Sequence, residues 1–352
     1  MNARKFLLLE NEVVKRNKIN LHDTKDEILF NKDYKKKLSK VYYFKIKDGI
    51  LNSDGPIISL TIIFDYLGFK SLSGNILLKK ILLLFKYFIC QINNLKKKII
   101  ILDDELFIVH NRNSIGYFHW ISDILPKLVF IKKRFKKKII KICLPENLKL
   151  NFVLSSLNIL GIKYVLISKK YNYKIKNAFY IPEIYPSGNP RPKKILDLKK
   201  SFSKYLSKKN NNLVYISRER SSRRKLENDY DFKIFLKKYG FKTYFMEKLS
   251  LKNQIRVCSS AKILIGLHGA GLANSIWMSR GSYLIELKPE KNIYANCFYS
   301  ICSINKINYD YFLCNKCNKF KNTTYANYRI NIQQFNCIFK SKLEKIIFSM
   351  NI

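Results

Sequence analysis

Ile263-Leu264-Ile265-Gly266-Leu267-His268-Gly269-Ala270-Gly271-Leu272-Ala273-Asn274 decides the fold class. Its apolar start, Ile263–Gly266, has the length and composition of a buried strand, and it enters a glycine-rich turn followed by a helix over Leu272–Met278. Strand, turn and helix in that order make one βα unit, and the flanking residues repeat it. Upstream, Leu213–Ser217 and Phe241–Phe245 read as strands, Asp231–Lys238 as a helix stopped by Gly240, and Leu251–Ser259 as a helix capped by Ser250. Downstream, Tyr283–Leu287 is the next strand. Such alternation builds a parallel sheet covered by helices.

An earlier series has the same rhythm. Lys98–Leu102, Ile139–Leu144, Tyr164–Ser168 and Ala178–Ile181 read as strands, with helices over about Ser114–Phe130 and over Phe152–Leu160, the latter ending at Gly161. Between the two series, Pro182–Pro192 packs four prolines and Gly188 into eleven residues, and a domain boundary or linker is expected there. Two α/β halves in succession imply a cleft at the carboxyl ends of two sheets. Residues 1–95 are less readable: strands at Val41–Ile46 and Ile57–Phe64 around a Gly55-Pro56 turn, then a helix over Gly74–Asn93. The expected domains are a mixed α/β region at 1–95 joined to the first half, halves at 96–192 and 193–330, and a helix within 331–352 (Ile332–Met350).

Composition narrows the partners. The 352 residues are 47% apolar and 14% aromatic with only 12 Gly and 8 Pro, which excludes collagenous and largely disordered chains. Lys plus Arg is 67 against 25 acidic residues, a net charge of +42. Such a field suits polyanions: nucleic acid, anionic lipid or phosphorylated ligands. The lysines are spread end to end amid abundant Asn and Ile, however, as a general composition bias would leave them. The amino terminus shows no leader pattern, and the longest uncharged stretch, Ile263–Ser279, is 17 residues and glycine-containing, short of a bilayer span. Ile76–Ile92 is apolar but interrupted by Lys79, Lys80 and Lys86, the pattern of an amphipathic helix. Eight irregularly spaced cysteines predict free thiols, and the lone Cys314/Cys317 pair lacks a second pair to hold zinc. A cytoplasmic location is expected.

Three segments carry chemistry. In Gly116-Tyr117-Phe118-His119-Trp120-Ile121-Ser122-Asp123-Ile124-Leu125-Pro126, a helix brings His119 and Asp123 to one face. Pro126 cannot donate to the Ser122 carbonyl, so a kink there should free that carbonyl for another partner. A carboxylate beside an imidazole suits a general base, while the same pair would serve equally as an i,i+4 hydrogen bond on a buried helix. In the second segment, Tyr215-Ile216-Ser217-Arg218 leads to Arg223-Arg224, placing guanidinium groups just past a strand's carboxyl end, where α/β folds bind ligands. The third is the glycine turn itself. Gly269, Ala270 and Gly271 would let the backbone approach a phosphate at a helix amino terminus, or simply pack helix on sheet. It is not the G-x-G-x-x-G dinucleotide pattern. Glu286, at the end of the following strand, would accept from ribose hydroxyls or form a surface salt bridge.

Together and in this order, the segments resemble glycosyltransferase family 61, which includes bacterial capsular-polysaccharide enzymes, plant β-1,2-xylosyltransferases and the extracellular O-GlcNAc transferase. The likeness rests on Tyr117-Phe118-His119-Trp120 with Asp123 and Leu125-Pro126, and on Tyr215-Ile216-Ser217-Arg218 with Arg223-Arg224 and Glu227-Asn228-Asp229. It continues through Leu251, Gln254 and Ile255 to His268–Asn274 and Ile285-Glu286, covering about residues 100–290; the run after Arg224 leaves Asn228 without a role. The resemblance implies a GT-B-like architecture, two Rossmann-like halves facing a central cleft, and inverting transfer from a nucleotide-diphosphate sugar to a glycan or lipid-linked acceptor. It would make Asp123 the general base with His119 beside it. Arg218, Arg223, Arg224, His268, Gly269, Ala270, Gly271 and Asn274 would hold the diphosphate, and Glu286 the ribose. No metal or cofactor is expected beyond the donor, and Asp103-Asp104 is not a D-x-D motif. Peripheral association with an anionic membrane is a further expectation. The alternative from another class is a basic nucleic-acid-binding protein without catalytic activity, for which no sequence motif is present.

Overall fold

Short β-rich runs separated by amphipathic helices fold here into two α/β units. The computed structural model describes residues 2–52, 55–57, 76–136, 139–289, 296–317 and 326–350. One unit comprises Met1–Val14 with Lys36–Ser201, the other Lys15–Lys35 with Phe202–Ile352.

The first unit is built on a mixed sheet of β1 (Asn2–Leu9), β2 (Val41–Asn52), β3 (Gly55–Ile57), β4 (Ile99–Ile108), β5 (Lys141–Pro145), β6 (Lys163–Ile167) and β7 (Asn172–Tyr180). Its order is β1-β2-β7-β4-β5-β6, with β3 paired to β2. β4, β5, β6 and β7 run parallel to their neighbours among themselves, and β2 joins β7 antiparallel. The helix α1 (Ile76–Asn94) precedes β4. Between β4 and β5 lies a helix in three parts: Tyr117–His119, a π-helical turn Trp120–Ile124, and α2 (Leu125–Phe135). α3 (Asn151–Leu160) links β5 to β6 and ends at Gly161, whose φ of 62° is the left-handed conformation that glycine adopts without strain. Ile46, Leu106, Ile108, Cys143 and Ile175 form the core beneath the sheet.

The second unit has a doubly wound sheet: β8 (Asn212–Ile216), β9 (Lys242–Tyr244), β10 (Ala261–Leu267), β11 (Tyr283–Pro289) and β12 (Asn308–Lys316), with β13 (Tyr328–Arg329) antiparallel at the edge. The parallel order β9-β8-β10-β11-β12 is 2-1-3-4-5 in chain sequence, so the order reverses between β8 and β10. Open α/β sheets bind ligands outside the strands' carboxyl ends at such a point. α5 (Asp229–Lys237), α6 (Leu251–Ser259) and α7 (Cys297–Asn305) make the crossovers. Helix α8 (Ile332–Phe348) drives Phe335, Phe339 and Leu343 into the core with Tyr215, Phe232 and Ile265. Its apolar face covers this unit's core while the opposite face is exposed.

Several expectations need adjustment. The proline-rich run does not divide the chain. Helix α4 (Pro192–Ser201) packs Ile195 and Leu198 inward and stays with the first unit. Buried Arg191 fixes the run in place, donating to Glu12 (2.9 Å), Ser39 O (2.7 Å) and Ile184 O (3.0 Å). Residues 15–35, read with the amino-terminal region, pack in the second unit through Phe30 against Tyr299 and Tyr311. The strand expected at Ile57–Phe64 lies, beyond Ile57, outside the described residues, as does Gly74. The segment Ala270–Trp277 is a 3-10 helix rather than an α-helix.

Candidate active site

In the first unit, the three-part helix positions its chemistry by local necessity. Pro126 has no N–H for the Ser122 carbonyl, and the chain accommodates this with the π-helical turn at Trp120–Ile124. The freed Ser122 carbonyl accepts from the buried Tyr185 hydroxyl, the external partner anticipated from the sequence. Trp120 Nε1 donates to Ser156 Oγ on α3 at 2.9 Å. The buried Lys127 Nζ donates to Val109 O (2.8 Å) and Ile181 O (3.2 Å), the residues that follow β4 and β7. The helix start is therefore fixed at the carboxyl ends of two parallel strands.

His119 and Asp123 meet on this helix, His119 Nδ1 lying 2.9 Å from Asp123 Oδ2. Ser187, from the proline-rich run, donates to the same Oδ2 at 2.7 Å and sits 3.2 Å from His119 Nδ1. Ser122 Oγ lies 3.0 Å from Asp123 Oδ1. That hydroxyl shares its one proton with Phe118 O, 2.8 Å away, so Oδ2 is the better-bonded oxygen; Asp123 is buried while a third of the His119 side chain is exposed. Burial disfavours the His119 imidazolium, but the hydrogen bond and charge of Asp123, helped by Glu183, outweigh it and raise the pKa. With Nδ1–H given to Asp123, Nε2 is the nitrogen that carries the lone pair. This is the geometry of an imidazole base oriented by a carboxylate.

In the second unit, the loops leaving β8 and β10 sit side by side at the switch point. Arg218, just past β8, is pinned by its own loop: Nε donates to Arg224 O (3.0 Å), and one terminal nitrogen to Arg223 O and Ser221 Oγ (both 2.9 Å). Arg224 closes that loop in the left-handed region at φ 54°, a conformation uncommon outside glycine. The other terminal nitrogen of Arg218 lies against Gly269, where a Cβ would stand 2.0 Å from it. Only glycine permits this approach. Burial, then the charges of Arg224 and Arg223, draw the Arg218 pKa down to about 10, so the group stays cationic at neutral pH. Ala270 and Gly271 open the 3-10 helix, where amides have no intrahelical acceptor.

His268 and Glu286 form a buried pair, His268 Nδ1 bonding Glu286 Oε1. Tyr309 OH donates to the other oxygen, Oε2, at 2.7 Å. Burial favours a protonated carboxyl, but Lys288, His268 and Tyr309 together hold Glu286 well below the usual carboxylate range. Burial also lowers the His268 pKa, against the pull of Glu286, so a neutral ring donates Nδ1–H. Glu286 is 0% exposed with both oxygens taken. It orients His268, and its burial corrects the reading of Glu286 as a surface salt bridge. Asn274 is likewise buried, donating to Gln254 Oε1 and Gly271 O (each 3.0 Å) and accepting from Trp277 Nε1. It braces the turn rather than presenting its amide outward. Arg223 is exposed on the loop.

Asn228, without a role in the sequence, exchanges two hydrogen bonds with the Ile330 backbone. Its neighbour Asp229 accepts from Tyr215 OH and from Ser217 Oγ (2.8 Å), tying α5 to the strand that delivers Arg218. Ser187, Tyr185 and Tyr309 were missed from sequence, and Asp229 was noticed there only as part of the Glu227-Asn228-Asp229 run. A hydroxyl inside a proline-rich run was the one available signal for Ser187. Among the described residues no three His, Cys, Asp or Glu side chains gather as metal ligands. Cys314 is buried in the second unit's core and Cys317 is exposed.

No curated protein matches the sequence. The Glycosyltransferase 61 family model matches residues 117–285. That span opens two residues before His119, takes in Asp123, Arg218 and the His268–Asn274 turn, and closes one residue before Glu286. Over residues 117–285, just under half of the chain, the sequence is thus similar to glycosyltransferase family 61.

Proposed function

We propose that this glycosyltransferase moves a sugar from a nucleotide-diphosphate donor to a hydroxyl of a glycan or lipid-linked glycan, inverting the anomeric carbon, in surface-polysaccharide or glycoconjugate assembly. The first unit serves as the acceptor half and the second as the donor half of a GT-B-type enzyme. The observation that carries this reading is that the family match spans the imidazole–carboxylate cluster and the cationic glycine turn together. His119 Nε2 takes the acceptor proton as the hydroxyl oxygen attacks the anomeric carbon. Asp123 holds the imidazole tautomer and stabilises its charge, with Ser187 keeping the carboxylate in place. This shifts the base from Asp123, the role implied by the family resemblance, to the histidine it orients. As the anomeric carbon–oxygen bond breaks, the departing diphosphate gathers charge. Arg218 and the amides of Ala270 and Gly271 are fixed donors aimed at such charge, with His268 held beside them by Glu286. Arg223 supplies a further, more exposed cation. Nothing in the family match favours the nucleic-acid-binding alternative.

The test is transfer from a panel of nucleotide sugars to hydroxyl acceptors, with the product's anomeric configuration read by NMR. A product of configuration opposite to the donor supports the proposal. Retention, or transfer undiminished in His119→Gln, refutes the assigned mechanism.

A further inference from the structure

Helix α1 carries an apolar stripe that stays largely exposed. Leu78, Ile81, Leu82, Phe85, Ile89 and Ile92 recur at the three- and four-residue spacing of one helical face. All are exposed, with Leu78, Phe85 and Ile92 between 63% and 64% accessible. Phe88 lies on the stripe's margin, also exposed. The helix is nevertheless fixed to the sheet at its carboxyl end, where Asn172 Nδ2 donates to Asn94 O at 2.7 Å. Past that end Leu95, Ile99 and Ile101 are also exposed. Large contiguous apolar faces on a protein surface mark interaction sites.

The charge around the stripe selects the occupant. Between Asp65 and Asp103 the chain has seven lysines and no acidic residue. Lys86 borders the stripe, and Lys96 and Lys98 follow it, all three exposed. A second copy of this chain brings the same +42 charge and is repelled. An anionic lipid surface attracts those lysines and receives the apolar side chains below its headgroups. Among the described residues no helix is long and apolar enough to cross a membrane. A 19-residue helix, about 28 Å long, with one apolar face and basic borders suits lying in the interface plane. We infer that α1 docks the protein on an anionic lipid surface, with the stripe from Leu78 to Ile92 inserted and Lys86, Lys96 and Lys98 on the headgroups. This inference rests on the surface of the first unit and stands apart from the transfer reaction.

The experiment is co-sedimentation of the full chain with vesicles of phosphatidylcholine alone or mixed with phosphatidylglycerol, at physiological salt. The wild type is expected to bind the mixed vesicles and to bind phosphatidylcholine alone far more weakly. Phe85→Ser with Phe88→Ser removes two exposed rings and should weaken partitioning at least about tenfold, given the apolar area each ring buries, with an unchanged melting curve. Lys86→Glu with Lys96→Glu keeps the stripe and should also weaken binding, in a salt-dependent way. No binding of the wild type to anionic vesicles overturns the inference. So does binding by both double variants as tight as the wild type's, or a concentration-dependent dimer that the serine variant abolishes while vesicle binding persists.

Discussion

Replacing Asp123 with Asn changes one oxygen for an NH2 and leaves the side chain's shape intact, so its consequences can be worked from the hydrogen bonds. The wild-type carboxylate accepts from His119 Nδ1 at 2.9 Å and from Ser187 Oγ at 2.7 Å. A hydrogen bond to a charged group contributes about 1.5–3 kcal/mol, which for the His119 contact alone is a rate loss of roughly 10- to 150-fold. An amide whose NH2 faces Nδ1 also drives the proton to Nε2 and removes the base, and the equivalent exchange in Ser-His-Asp hydrolases lowers turnover about 10⁴-fold. The expected loss in kcat therefore lies between about 10²- and 10⁴-fold. The pH profile carries independent information. Asp123 is the chief influence raising the His119 pKa against burial. Without it burial prevails, so the acid limb of kcat/KM should move to lower pH in Asp123→Asn. The assay is steady-state transfer from the best donor across about pH 5 to 9. Full turnover would refute the reasoning. A lost rate with an unmoved acid limb would also refute it, because Asp123 would then act without His119.

Other substitutions separate the remaining roles. Gly269 is in extended backbone at φ 173°, and a Cβ there meets the Arg218 guanidinium first, at 2.0 Å. Gly269→Ala should lower the melting temperature, because the displaced guanidinium gives up bonds to its own loop, and weaken nucleotide binding at least about tenfold by moving a charged donor, as titration calorimetry would show; unchanged affinity would contradict the arrangement. Tyr309→Phe leaves Glu286 Oε2 without its donor and should destabilise the protein by about 1.5–3 kcal/mol, read as a drop of several degrees in Tm. Glu286 also predicts acid sensitivity. Its folded pKa is depressed, so its contribution is complete above the unfolded carboxyl's pKa of about 4.3 and is lost as the pH falls toward about 2. Melting curves across that window should show the loss in the wild type and its attenuation in Glu286→Gln. Ser187→Ala should reduce kcat more than it raises KM, since the hydroxyl touches Asp123 rather than substrate.

The βα rhythm was legible because buried parallel strands are short apolar runs with glycine at helix ends, and Gly161 and Gly240 both sit where the pattern put them, at positive φ. Pro126 forecast a disturbed helix with a free Ser122 carbonyl, since a missing N–H is a covalent fact. The partners were not legible. Tyr185 and Ser187 reach the helix from more than sixty residues away, and Tyr309 reaches Glu286 from the adjacent strand. No local pattern encodes such a meeting. The proline-rich run looked like a boundary because chain breakers mark linkers and ordered turns alike; Arg191, buried and bonded three ways, is what makes it ordered. The partners of Glu286 were hidden for a related reason. Position at a strand's carboxyl end is visible in a sequence, but the burial that turns a carboxylate toward His268 is not.

The most direct test of the central claim is thermal melting of the wild type and Arg218→Ala with uridine, guanosine and cytidine diphosphates and their sugar conjugates. A ligand at about a hundred times its Kd stabilises the folded state by about 2.7 kcal/mol, and a rise of about 5–10 °C in Tm follows for units of this size. At least one nucleotide should produce that rise in the wild type and none in Arg218→Ala. No rise with any nucleotide, or an equal rise in the variant, would contradict the account.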